Sequence, residues 1–544
     1  MNEPLQAGAA ILLVMLPLAA APIPFLSAGR GARTLAALVV LGQGGALVAC
    51  WLTILDGGAG RVRLGGHAAP LGIELRVDGL ATILLALTWL AMAAAWLYEA
   101  RLGVSGVGGN DRSVGSVRDP ARTRRDAPFW SLMLFLWASL DLLYLSNDLF
   151  NLYVGLELLG LSAVALVCLA GGREALEAGF RYLLVSIAGS LFYLLGVGLL
   201  YGEHGSLALD GVGASLRAAA GAVEGSGVQT SPSASAALAL MTFGLALKTA
   251  LFPFHGWLPR AHASAPSAVS ALLSAIVVKA SFYVLLRLWV EVFPGAIDVL
   301  LVQLFGVLGA IAIAWGALLA MQQKRLKLMI AFSTVSQLGY LFVLLPVALD
   351  ATPLHELATA PARLAEVVPL EREEIARLAW QGGILFLVAH AAAKAALFLC
   401  AGNLIALHGH DRIDELTGVA RRAPGTALAI GLAGISLIGL PPSGGFSAKW
   451  LLVTAAIERS LWSWALVMVA GSVLTSIYVF RLIGMLLRVG GPGPGGEASP
   501  TSEEDRLPRS MTLAALGLAA AAIASGLWPK PIFELLELSR GFPW

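Results

Sequence analysis

The stretch KTALFPFHGWLPRAHASAPSAVSALLSAIVVK, residues Lys248 to Lys279, decides the fold. It is mostly apolar, yet it has a lysine at each end, His255 and His262 between them, and prolines at 253, 259 and 266. Pro253 removes the hydrogen bond that the carbonyl of residue 249 would have accepted, and Pro259 and Pro266 extend the irregular stretch. A broken helix at membrane depth is tolerated only where it faces protein or a wet cavity, and in transporters such breaks commonly mark the site. Further along, Pro441, Pro442, Gly444 and Gly445 break a second helix just before Lys449. One break in each half points to an internal structural repeat.

The rest of the chain supplies the membrane context. Of 544 residues, 58% are hydrophobic and 13% charged, against roughly 25% charged in a soluble domain. Apolar runs of about 18 to 28 residues recur from end to end, enough to cross a hydrocarbon core of about 30 Å as helices. The segments lack the alternation of a strand barrel. Helices are expected near 8–26, 34–55, 78–98, 128–145, 149–170, 178–202, 236–275 (interrupted), 276–293, 297–321, 327–348, 381–408, 424–456 (interrupted), 461–488 and 511–527. The expected fold is therefore an all-α polytopic membrane protein of about fourteen transmembrane helices. The expected divisions are 1–127 (three helices and a loop), 128–293, 294–490, and 491–544 (a linker and a last helix). Stretches 101–127, 203–234 and 489–510, rich in Gly, Ser and charge, are expected to be flexible connections.

Charge distribution narrows the classes further. A net charge of +2 with dispersed arginines gives no nucleic-acid face. Cys50, Cys168 and Cys400 each lie in an apolar run with no paired spacing, so they are expected to pack. The opening MNEPLQAG has no basic stretch before its apolar segment, so the first run is expected to be a retained helix. Basic residues favour the cytoplasmic side. With the amino terminus outside, the cytoplasmic loops hold Arg30 and Arg33, then Arg101, Arg112, Arg118, Arg122, Arg124 and Arg125, then Lys324, Arg325 and Lys327. Arg412, Arg421, Arg422, Arg488, Arg506 and Arg509 complete that set. The opposite loops carry fewer, among them Arg61, Arg63, Arg76 and Arg217. Segment 354–380, with Glu366, Glu371, Glu373 and Glu374 beside Arg372 and Arg377, is expected to be a solvated helix or loop on the outer face.

An ionisable residue inside a spanning helix costs at least about 2.5 to 3.5 kcal/mol, and so is rare unless it lines a polar pathway. Five such residues stand here: Glu157, Lys248, Lys279, Lys394 and Lys449. His390 and Lys394, four apart, share a helix face. Lys248 and His255, seven apart, would share one but for the break. Histidine can pass a proton through its two ring nitrogens, which suits a relay in which His255, His262 and His390 serve beside the lysines. Burial disfavours a charged lysine and a nearby carboxylate favours it. At about 4 Å and an effective dielectric of about 20 that attraction is about 4 kcal/mol, so Glu157 moving away from Lys248 could eject a proton. No His/Glu/Cys cluster has metal-ligand spacing. There is also no flavin fingerprint or iron–sulfur cysteine spacing, so no cofactor or redox site is expected in this chain.

These motifs resemble the antiporter-like membrane subunits shared by respiratory complex I (NADH:quinone oxidoreductase), membrane-bound hydrogenases and Mrp sodium/proton antiporters. The resemblance covers roughly residues 75 to 490. Besides the opening stretch, it rests on KRLKLMIAFSTVSQLGY (324–340), HAAAKAALFLCAGN (390–403) and GLPPSGGFSAKW (439–450). It implies two inverted five-helix repeats, each with one broken helix. In that scheme Glu157 is similar to the family's glutamate of the fifth helix and Lys248 to the lysine of the first broken helix. Lys279 and Lys394 would connect the half-channels, and Lys449 would be the outlet, where one complex I subunit type carries glutamate. Lys449 and the short tail after the last helix make the resemblance strongest to the D-type subunit of the Mrp antiporters. The implied function is H+ translocation, with other membrane subunits as partners, coupled to Na+ exchange or to quinone or hydrogenase redox chemistry, in the cell's plasma or inner membrane. The readings weighed against it are a stand-alone secondary transporter of a small solute and a purely structural assembly subunit.

Overall fold

The computed structural model describes residues 2–27, 29, 31–64, 72–99, 120–221, 231–293, 297–349, 372–488 and 507–539. The helices are α1 (Asn2–Ala20), α2 (Ala32–Gly57), α3 (Gly79–Glu99), α4 (Pro120–Leu145), α5 (Leu149–Cys168), α6 (Gly172–His204), α7 (Leu209–Gly221), α8 (Pro232–Lys248) and α9 (Trp257–Ser264). Then come α10 (Ser267–Val292), α11 (Val299–Gln322), α12 (Leu326–Ala348), α13 (Arg372–His408), α14 (Pro424–Ile438), α15 (Gly444–Glu458), α16 (Trp462–Leu487), α17 (Arg509–Leu527) and α18 (Lys530–Glu537). Among the described residues, twelve helices are long and apolar enough to cross a membrane, and α8 and α14 are shorter apolar helices. The chain is a predominantly helical polytopic membrane protein.

Both expected breaks are present. The first separates α8 from α9 and contains a short 3-10 turn at Phe254–Gly256. Trp257 closes it, donating its indole N–H to the Leu247 carbonyl at 3.2 Å and stacking on Tyr182 of α6 with ring centroids 4.2 Å apart. The second separates α14 from α15. Ser443 caps α15, accepting from the Phe446 amide at 3.2 Å, which satisfies one of the free N–H groups that any helix start leaves. Gly439 stands at this break with φ +87°, and a Cβ there would meet the Lys449 side chain at 2.9 Å. Only glycine meets both demands.

Paired glycines bring helices into backbone contact on each side of the chain's midpoint. A Cβ on Gly189 of α6 would lie 2.7 Å from the Gly244 carbonyl oxygen of α8, and Gly309 of α11 meets Gly339 of α12 at the same 2.7 Å. Small residues at such crossings permit the close packing that substitutes for a hydrophobic drive in lipid.

Several expectations need correction. Helix α10 begins at Ser267, absorbing the end of the segment expected at 236–275, and contains π-helical turns at Leu273–Val277 and Leu288–Val292. The 203–234 connection carries the helix α7, anchored by Leu209 and Val212, both buried. Between α2 and α3 lies an antiparallel hairpin, β1 (Gly60–Leu64) paired with β2 (Ile73–Val77), Val62 opposite Leu75. Nothing in the apolar-run reading separates such a hairpin from an ordinary loop. Residues 372–380 form the first turns of α13, with Ala379 and Trp380 fully buried. The remainder of 354–380, residues 101–119 of the basic loop, the side chains of Arg122, Arg124 and Arg125, and Arg30 and Arg506 lie outside the described residues.

Candidate functional site

Lys248 is the last residue of α8. Its ammonium donates to Ser186 Oγ of α6 at 2.9 Å and to the Leu156 carbonyl of α5 at 3.3 Å. The Gly189–Gly244 crossing sets this contact, since Gly189 lies three residues after Ser186 and Gly244 four before Lys248. Gly160 completes the pocket, because a Cβ there would meet Ser186 Oγ at 2.2 Å. Glu157 is half-buried and acts on Lys248 electrostatically. It forms no ion pair with the lysine, whose hydrogen bonds go to the serine and to the carbonyl just before the glutamate.

Lys279 is fully buried on α10 and donates to the Ser274 carbonyl. That carbonyl lies within the π-turn at 273–277. Ser274 Oγ in turn lies 2.9 Å from Thr334 Oγ1, tying α10 to α12. Lys394 of α13, also fully buried, donates to the Ile330 carbonyl at 3.0 Å and to Ser333 Oγ, both on α12. Lys449 of α15 reaches back across the second break. It donates to the last carbonyls of α14, Leu437 at 2.9 Å and Ile438 at 3.2 Å, and to Ser472 Oγ at 3.1 Å. Its ammonium sits 4.5 Å from the centroid of the Tyr340 ring, a cation–π arrangement.

Two histidines join these lysines. His262 of α9 is fully buried, stacks on Phe398 at 4.7 Å, and has neither ring nitrogen hydrogen-bonded. It lies within electrostatic reach of Lys327, Lys394 and Lys279. His390 stacks on Phe386 at 5.7 Å, likewise with both ring nitrogens unpartnered. It feels Lys279, Lys394 and Lys449. The structure thus brings together Lys279, His262, Lys394, His390 and Lys449. Glu157 and Lys248 form a separate station. His255 is not brought to the lysines: it lies in the 3-10 turn, stacked on Phe252 at 5.6 Å.

Sequence reasoning missed three features. Lys327, assigned to a cytoplasmic loop with Lys324 and Arg325, is 1% exposed inside α12 and donates to the Ala265 carbonyl. Asp141 of α4 is 1% exposed with both carboxylate oxygens unpartnered; a carboxylate within LFLWASLDLLYL was the available signal. The third is a buried cluster. Arg76, assigned to an outer loop, forms two hydrogen bonds to Glu291 at 2.7 and 2.8 Å, while Arg287 forms two to Asp78 at 2.6 and 2.7 Å and a further ion pair to Glu291. Burial alone would raise the Asp78 carboxyl, but the Arg287 and Arg76 guanidiniums hold it below the ordinary carboxylate value. The cluster pins β2 to the far end of α10.

Two broken helices, buried lysines on hydroxyls and carbonyls, and unpartnered histidines between them define a membrane protein with a polar, titratable row through its helix bundle. Comparison with known proteins then supplies the family. Residues 146–357 and 375–475 match the family described as NADH:quinone oxidoreductase/Mrp antiporter, TM. The chain is 33% identical over 551 residues to NADH-quinone oxidoreductase subunit N of Desulforudis audaxviator, covering 98% of each chain. It is 26% identical to the D-type subunit of the Na(+)/H(+) antiporter of Bacillus subtilis, covering 90% of this chain and 84% of that one. A chain of the Mrp complex from Dietzia sp. DQ12-45-1b superposes with a TM-score of 0.79 at 23% identity, covering 98% of this chain and 96% of that one. The chain belongs to the NADH:quinone oxidoreductase/Mrp antiporter transmembrane family, and the family resemblance read from its motifs holds at that level, complex I and Mrp subunits both being among its relatives.

Proposed function

We propose that this chain is the proton-translocating subunit of a multi-subunit membrane assembly. Protons move between lysine ammonium groups with histidines as carriers, along Lys279, His262, Lys394, His390 and Lys449, while Glu157 and Lys248 form an adjoining station. The observation that carries this reading is the pair of fully buried histidines with free ring nitrogens, each within electrostatic reach of three lysines. Like charges repel strongly in a medium of low dielectric, so a proton arriving on one lysine disfavours charge on its neighbours and favours onward transfer. A neutral imidazole has one nitrogen to accept and another to release.

The partners are other membrane subunits of a respiratory, hydrogenase or Mrp-type complex. They would supply the driving chemistry, either Na+ exchange or quinone- or hydrogenase-linked redox. Residues 128–293 and 294–490 would act as two inverted half-channels, a reading supported by one broken helix and one glycine crossing in each. The assembly would sit in the plasma or inner membrane with the amino terminus outside, as the basic residues of the connections favour. The solute-transporter reading gains no support from the cavity of about 320 Å³, which is lined by Arg422, Thr426, Arg509 and Thr512, away from the lysines.

The test is Lys279→Arg in the assembled complex in sealed vesicles. Arginine keeps the charge but cannot give up its proton. Expected is loss of proton transport with assembly intact; transport at the wild-type rate would sink the relay.

A further inference from the structure

We propose that Lys327 is the loading residue of the relay, taking protons from the face that carries Arg325 and Asp411 and passing them to His262. This rests on the proton-relay reading above and adds a residue and a direction of supply to it. Lys327 stands in the first turn of α12, a position where a lysine would ordinarily reach out to water. Its side chain instead turns inward and donates to the Ala265 carbonyl, the C-cap of α9. His262, on the last turn of that same helix, feels Lys327 as the largest of its three lysine influences. Lys327 therefore contacts the helix that carries the hub histidine, at the C-terminal end where that histidine lies.

The route to the surface is built from the same turn. Asp411 accepts from the Lys327 amide at 3.2 Å with one carboxylate oxygen and from Arg325 Nε at 3.0 Å with the other. The Arg325 side chain is 47% exposed and that of Asp411 8% exposed, so the carboxylate ties an exposed guanidinium to the backbone of the turn that carries Lys327, and it acts on the buried ammonium electrostatically. Backbone bonds fix the turn: the Leu326 amide donates to the Asp411 carbonyl at 2.7 Å and the Ile413 amide to the Lys324 carbonyl at 2.8 Å. The charged and titratable groups facing Lys327 are thus Asp411 and Arg325 on the surface side and His262 on α9, with Lys394 of α13 also within reach of that histidine. Asp411 is a positioning residue. It attracts charge onto the lysine while itself staying at the solvent edge.

The competing account is that Lys327 only caps α9. Lys327→Arg separates the two, because arginine preserves both the charge and the donor to Ala265 but does not release a proton. In the assembled complex in sealed vesicles, the expected result is at least a tenfold loss of proton transport with normal subunit assembly. Wild-type transport by Lys327→Arg, while Lys279→Arg is inactive, overturns the loading role and leaves the relay standing; wild-type transport by Lys279→Arg removes the relay itself. If Lys327→Arg does not assemble, Asp411→Asn decides. It leaves the lysine and its contact with α9 in place, and the pH profile of transport is expected to move. An unchanged profile overturns the proposal.

Discussion

Gly244→Ala tests whether helix contact at the Lys248 station sets the chemistry there. An added Cβ would lie 2.3 Å from the Gly189 carbonyl oxygen. Ordinary non-bonded separations are about 3.5 Å, so α6 and α8 must part by about 1 Å. Overpacking of this kind costs about 1–3 kcal/mol. The same movement stretches the 2.9 Å bond from Lys248 to Ser186 beyond hydrogen-bonding range, and a bond to a charged donor is worth about 1.5–3 kcal/mol. The variant should therefore melt earlier in detergent and transport protons several-fold more slowly. Gly198→Ala is the control. Gly198 lies on the same helix α6 with nothing within 4 Å of its Cβ position, so alanine there should be neutral or stabilise by about 0.5–1 kcal/mol. Equal behaviour of the two variants, in either direction, would refute the argument that the crossing is what matters.

Other expectations follow from the same geometry. Arg287→Ala removes the two hydrogen bonds that Asp78 accepts from that guanidinium and leaves it only the Ala81 amide and Arg76, and breaking a buried pair of this kind costs up to about 3–5 kcal/mol. Limited proteolysis of the hairpin should accelerate, and an unchanged rate would mean the cluster is not what holds it. The Asp78 and Asp210 carboxyls are both held below the ordinary value, in each case against the effect of burial, by Arg287 and Arg76 and by Arg61 respectively. A lowered folded-state value means that stabilisation is present above the unfolded value of about 4 and drains away as pH falls through the folded one. Thermal stability should accordingly hold from pH 7 to 5 and fall below about 4, with a shallower fall in Asp210→Asn; identical acid profiles would exclude that pairing. Gly439→Ala places a side chain at φ +87° and against Lys449, whereas Gly517→Ala meets nothing. Proton flux should drop in the first variant alone, and equal flux would show that the second break tolerates a side chain.

The breaks and the five charges inside apolar runs were legible because each violates a strong local rule. Proline inside an apolar run and lysine away from any helix end both stand out in one dimension. Lys327 did not, because it follows Lys324 and Arg325 and a basic triplet reads as a solvated loop; only folding reveals that the third residue has turned inward. The Arg76–Asp78–Arg287–Glu291 cluster joins residues more than 200 positions apart, and no local pattern reports such a pairing. Half of it was nonetheless readable. Lys279, Tyr283, Arg287 and Glu291 recur every four residues on α10, a continuous polar stripe in an apolar helix, and all four are buried. Glu157, singled out as a charge near Lys248, lies within electrostatic reach of it without forming an ion pair. What sequence could not supply was the geometry by which the lysine chose a serine and a carbonyl.

That choice recurs at every lysine of the interior. Lys248, Lys279, Lys327, Lys394 and Lys449 each donate to a backbone carbonyl, of Leu156, Ser274, Ala265, Ile330 and Leu437 respectively, and none forms an ion pair with a carboxylate. Two of these acceptors sit at a helix C-terminus: Lys327 meets the cap of α9, and Lys449 meets the last turn of α14. There the helix dipole supplies partial negative charge. A dipole stabilises an ammonium more weakly than a carboxylate does, and its loss of a proton leaves no unpaired buried anion behind, which would cost about 3–5 kcal/mol. The arginines of the Arg76–Asp78–Arg287–Glu291 cluster show the opposite solution, with full carboxylate pairing and charges that are permanent. One interior thus holds two kinds of buried cation, arginines paired with carboxylates and lysines held by carbonyls alone or with a hydroxyl, and the relay proposed above assigns proton transfer to the second kind, since arginine does not give up its proton.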